Sequence, residues 1–136
     1  MEDFSILLVV SSLIFITNSL SAYYKNYFFY SILFFCLTIT SIIFHYHTTL
    51  YTKIMDKIFI LAIVLYGGHL LYKKTNINNQ YQVFLIILTF LTSIFLFYYG
   101  YCVNQYCYHP DKCISNRYHC MLHILSSLGH HWIIFL

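Results

Sequence analysis

The sequence predicts an all-α fold, a polytopic transmembrane bundle of about five helices. Two observations predict it. Of 136 residues, 60% are hydrophobic and only 8% charged, whereas a soluble domain carries about 25% charged residues. The mean hydropathy of +0.70 is concentrated in apolar windows near 4–22, 27–46, 54–72, 82–101 and 118–136. At about 1.5 Å per residue, each is long enough to cross a hydrocarbon core of about 30 Å as a helix.

The first window follows Glu2 and Asp3, where a cleavable leader would carry basic residues, and its apolar run is too long for one. It is therefore read as a helix. The second ends on Ser41-x-x-x-His45. The third has the shortest apolar centre, because Asp56, Lys57, Gly67, Gly68 and His69 interrupt it; paired glycines permit close helix contact or a kink. The fourth is the least interrupted. The fifth holds His119, His123, His130 and His131 and is more than an apolar anchor. No internal repeat or Pro/Gly-rich linker divides the chain, and the sole proline, Pro110, lies between the last two windows. Residues 1–136 thus form a single transmembrane domain.

The formal charge of +3 comes from seven Lys and Arg residues scattered at helix ends. They read as interface anchors, and no nucleic acid partner is expected. With five spans, the amino terminus, the loop near Lys53 and the loop carrying Lys112 and Arg117 share one side of the membrane. The loops with Lys25 and with Lys73 and Lys74 face the other. Lys53, Lys57, Lys112 and Arg117 against those three make too small a bias for the positive-inside rule, so the sequence sets neither orientation nor oligomeric state.

Inside these apolar windows stand Ser41, His45, Asp56, His119 and His123. A charged side chain at the bilayer centre costs roughly 2.5 to 3.5 kcal/mol on insertion scales, so intramembrane ionisable residues are functional-site candidates. Five together call for a shared reason. His45 ends the second helix, Asp56 begins the third, and His119 and His123 begin the fifth, so sidedness brings all of them to one end of the bundle. Residues four apart stack on one helical face, which aims His119 and His123 at one point and sets Ser41 beside His45. Three imidazoles match a catalytic zinc, which usually keeps three protein ligands and a water. Zinc would lower that water's pKa towards about 7 and polarise a carbonyl oxygen. Asp56 would take the proton, and Ser41 would hydrogen-bond the water or a developing oxyanion.

Taken singly, each residue has an ordinary explanation. An HxxxH pair arises easily among eight histidines. Asp56 suits a helix first turn beside Lys53 and Lys57, and Ser41 suits a serine bonded back to a helix carbonyl. It is the combination of order, spacing and sidedness that points to a metal site formed by His45, His119 and His123.

The same residues resemble the superfamily of alkaline ceramidases, progestin and adiponectin receptors and related membrane hydrolases. Its signature is a serine and histidine four apart in the second helix, an aspartate opening the third, and HxxxH in the last helix. Here those are SIIFH ending at His45, then Asp56, then HCMLHILSSLG from His119 to Gly129, the last most similar to the ceramidase branch. The resemblance implies Zn2+ on His45, His119 and His123, with Asp56 and Ser41 as catalytic residues. It implies hydrolysis of a membrane lipid amide, ceramide to sphingosine and fatty acid, in the endoplasmic reticulum or Golgi. It covers the second, third and last helices. Family members have seven helices; this chain has room for five, about one pair being absent between Asp56 and His119, which preserves sidedness. The ceramidase calcium site is not carried over, since only Glu2 and Asp3 are acidic near the amino terminus and Phe15 stands where a Glu-x-x-Asn motif ending at Asn18 would need its glutamate.

Other readings stand beside this one. Zinc could clamp helices in a receptor-like or structural protein without catalysis, or the histidines could carry protons in a channel or transporter subunit, which leaves the serine and aspartate spacing unexplained. Cys102-x4-Cys107-x-His109-x3-Cys113 is a rival metal cluster with looser spacing than the usual zinc pairs. Its cysteines would pair in an oxidising compartment and stay free in the cytosol. His47 is turned away from His45, while His69, His130 and His131 fall at the far interface beside Trp132. Cys36 and Cys120 read as packing residues.

Overall fold

The outward side of the helix Phe28–Tyr46 carries Phe28, Phe29, Ile32, Phe35, Ile39 and Ile43, all exposed, while its inward side buries Ser31, Thr38, Ser41 and His45. A water-soluble domain does not turn such a stripe outward; a bundle in lipid does. The computed structural model describes residues 5–136, so Glu2 and Asp3 lie outside the described residues. Its long helices are α1 (Ile6–Tyr24), α2 (Phe28–Tyr46), α3 (Leu50–Lys74), α4 (Ile77–Val103) and α5 (Lys112–Phe135). The first four are long and apolar enough to cross a membrane. The 24-residue α5 has the length, but its histidines, serines and Arg117 lower its apolarity. Packing, rather than hydropathy, holds it in the bundle.

Short connections make neighbours antiparallel. Asn26 and Asn104 adopt left-handed backbone at the ends of α1 and α4, with φ of 63° and 51°, a conformation asparagine tolerates. Capping side chains start α3 and α5 before their apolar windows. The Thr49 hydroxyl accepts from the Thr52 N–H while the Thr52 hydroxyl accepts from the Thr49 N–H, so α3 begins at Leu50. Asp111 accepts from the Cys113 and Ile114 N–H groups and starts α5 at Lys112. At the opposite end, the Lys74 ammonium closes α5 by donating to the Ile133 and Ile134 carbonyls at 2.8 and 2.9 Å, as cations do at helix C-termini.

Around the bundle the order is α3, α2, α1, α5, α4; α1 packs on both α2 and α5, α4 packs on α5, and α3 touches α5 along a short stretch. Small side chains on one face of α1 (Ser12, Ser19 and Ala22, with Phe15 and Asn18 between) are buried and allow close approach. Asn18 donates to the Ser127 carbonyl at 2.9 Å and accepts from the Ser127 hydroxyl at 2.6 Å, tying α1 to α5. The apolar core below comprises Phe15, Tyr30, Phe34, Leu37, Ile63 and Ile133 among others. Gly67 meets this core and Gly68 faces open space; the pair provides a close contact, and α3 runs unbroken through it.

Candidate metal centre

His45 sits in the last turn of α2, and His119 and His123 lie one turn apart on α5. Their rings face one another, with centroids 4.9 Å apart for His45 and His119, 5.3 Å for His45 and His123, and 5.0 Å for His119 and His123. One nitrogen from each lies within 4.8 Å of the other two. A tetrahedral zinc with bonds of about 2.0–2.1 Å places its nitrogen ligands about 3.4 Å apart. The three imidazoles therefore converge on a volume that small side-chain rotations close to ligand distance. His45 and His123 are buried and His119 is half-buried. The edge of His123 rests on Phe15, centroids 5.4 Å apart, so an apolar ring closes the site from below.

Comparison with protein-family models, curated proteins and solved structures finds no match. The chemistry of the site is therefore argued from its own atoms.

Asp56, in the second turn of α3, is 2% exposed. Its Oδ2 accepts from the Lys57 ammonium at 3.3 Å, while Oδ1 is a buried side-chain polar atom without a hydrogen-bond partner among the described residues. A buried carboxylate oxygen left without a donor costs about 1–3 kcal/mol or more unless a further group binds there, and a water between Asp56 and the histidines would satisfy it. The donor set thus fits a metal with an open coordination position: three neutral nitrogens, a free carboxylate oxygen and an apolar floor.

Ser41 precedes His45 by one helical turn and lies close enough to the Asp56 carboxylate to interact with it. Its hydrogen bond, however, goes to α1. Ser12 bonds to the Leu8 carbonyl at 2.8 Å and lies 3.0 Å from the Ser41 hydroxyl, a contact in which either hydroxyl can donate. All five residues singled out from the sequence thus gather at one end of the bundle.

Three contributors were not singled out from the sequence. Ser11 and Ser12, adjacent on α1, reach His123 and Ser41 respectively; serines in an apolar helix cost little and give weak signal, although their helical register with Asn18 was available. Lys57, read as an interface anchor, pairs with Asp56 and lies 4.8 Å from the Phe97 ring of α4 and 5.7 Å from the Phe44 ring of α2, cation–π contacts that tie α3 to both. A groove of about 330 Å³ along the outer face of α3, lined by Leu50, Lys53, Ile54, Lys57, Ile58 and Leu61, meets the site through Lys57.

The remaining candidates separate from this centre. Among the described residues His45, His119 and His123 are the group that could hold a metal. Cys102 and Cys113 are exposed free thiols and Cys107 is a buried one, its thiol pushed up to about 11 by burial. His109 Nδ1 accepts from the Asp111 backbone N–H at 3.0 Å. His47 and His69 are exposed. His130 and His131 are more than interfacial residues: His130 is hydrogen-bonded to Tyr30, and His131 to Thr17 at 3.0 Å.

Proposed function

We propose that this chain is a zinc-dependent integral-membrane hydrolase that cleaves a lipid amide bond in the manner of a ceramidase. The observation that carries the reading is the convergence of His45, His119 and His123 at the end of the bundle that also buries Asp56, whose Oδ1 has no hydrogen-bond partner among the described residues.

The three imidazoles would hold the ion. Zinc so bound supplies Lewis acidity, polarising a carbonyl and lowering the pKa of a water at its open position towards about 7. Asp56 Oδ1 accepts a proton from the attacking water as its oxygen bonds to the amide carbon, and returns it to the nitrogen as the C–N bond breaks, yielding a carboxylic acid and an amine. With Lys57 on Oδ2, Oδ1 would be the atom that takes the proton. Ser41, one turn from His45, would turn its proton from Ser12 to a developing oxyanion. Phe15 keeps water from the lower side. A lipid is the favoured substrate because the site lies within an apolar bundle and its neighbouring groove pairs aliphatic side chains with Lys53 and Lys57.

A second reading, zinc as a non-catalytic clamp, draws on the position of α1 between the two ligand-bearing helices. One experiment separates the two. Detergent-purified wild type should contain about one zinc per chain by elemental analysis, lost in the His119→Ala, His123→Ala double variant. Asp56→Asn should keep the zinc and lose ceramide hydrolysis by at least about 100-fold, the scale of a general base. Wild type with zinc but no hydrolysis of any lipid amide supports the clamp, and wild type without zinc rules out both.

A further inference from the structure

We propose that Ser11 on α1 is a positioning residue that sets the tautomer of His123, so that this histidine presents Nε2 to the metal; the inference rests on the zinc reading above. The Ser11 Oγ lies 3.0 Å from the Leu8 carbonyl oxygen and 2.8 Å from His123 Nδ1. A carbonyl only accepts, and the hydroxyl has a single proton to give. With that proton on the Leu8 carbonyl, Ser11 accepts in its second contact and His123 Nδ1 carries the hydrogen; of the two arrangements open to the 2.8 Å contact, this is the one that leaves Nε2 free for a metal. A neutral imidazole protonated on Nδ1 has its lone pair on Nε2, the form a metal takes up. Hydrogen bonds on the non-ligating nitrogen fix ring orientation and raise ligand basicity.

The neighbouring residue shows the same construction. Ser12 bonds to the same Leu8 carbonyl at 2.8 Å, and its hydroxyl lies 3.0 Å from that of Ser41, one turn from His45. Successive residues on a helix point about 100° apart, so two adjacent hydroxyls of α1 address α5 and α2 separately. α1 contributes no ligand, yet it stands between the two helices that do. Both hydroxyls bond back within the turn immediately before Leu13, where α1 tightens to i→i+3 hydrogen bonds (Leu13 N–H to Val10 carbonyl, 3.1 Å) while its backbone stays helical.

The test is zinc affinity by chelator competition on the full purified chain, together with nitrogen-15 spectra of histidine-labelled protein. Ser11→Ala should bind zinc about 10- to 100-fold more weakly, the range seen when such a partner is removed. Ser11→Thr, which keeps the hydroxyl, should recover most of the loss. In zinc-loaded wild type the His123 signals should show a proton on Nδ1 and metal on Nε2, and this reading needs no variant to fold. Zinc-loaded wild type with the metal on Nδ1, or equal affinity in wild type and Ser11→Ala, overturns the role of Ser11 while leaving the metal centre standing. Wild type that binds no zinc removes the metal centre itself.

Discussion

A methyl group at position 67 would meet the Tyr30 hydroxyl oxygen at 2.6 Å and His130 Nδ1 at 3.0 Å. Tyr30 is fully buried and hydrogen-bonded to His130, so neither side chain has room to retreat. Gly67→Ala should therefore destabilise the bundle by about 1–3 kcal/mol, the cost of overpacking, whereas Gly68→Ala, with nothing within 4 Å of its added carbon, should show no loss; unfolding in detergent compares them. The same contrast marks what single residues reveal. His45, Asp56, His119 and His123 were legible because an ionisable group in lipid demands a reason. Ser11, Ser12 and Tyr30 were not, because a hydroxyl in an apolar helix satisfies itself on a nearby carbonyl or adjusts to any partner, and only packing decides which.

Helix centres follow from apolar runs, but helix ends follow from caps. The third window starts at residue 54, while α3 starts at Leu50, because the reciprocal Thr49–Thr52 bonds satisfy backbone N–H groups ahead of the apolar stretch. Thr49→Ala should cost about 1 kcal/mol and Thr49→Ser much less, measured by denaturation of the purified protein. This start matters to the site, since it puts Asp56 in the second turn of an established helix rather than at a fraying end. Irregularities within helices were invisible beforehand. The tight turn at Leu13 has no Pro or Gly to announce it, and the wide turn Phe95–Tyr99 in α4 has only Gly100 directly after it. Phe97, within that wide turn, is the ring that receives Lys57.

Metal held by α2 and α5 would join helices that are separated around the bundle by α1, so its binding should stabilise the whole molecule rather than one hairpin. Zinc at about 100 times its Kd should add about 2.7 kcal/mol, seen as a rise in Tm that chelator reverses and that the His119→Ala, His123→Ala variant lacks. An unchanged Tm in wild type would separate the histidine cluster from any metal. The sequence by itself determined the all-α membrane architecture, the sidedness of its loops and the gathering of five polar residues at one end, because hydropathy, helical period and alternation of spans are local or countable. Tertiary structure alone decided that α1 stands between α2 and α5, that Lys57 pairs with Asp56, and that the far histidines clasp Tyr30 and Thr17. These depend on which helical faces meet, and in lipid, where apolar burial does not discriminate between partners, that choice is made by small-residue packing and individual hydrogen bonds.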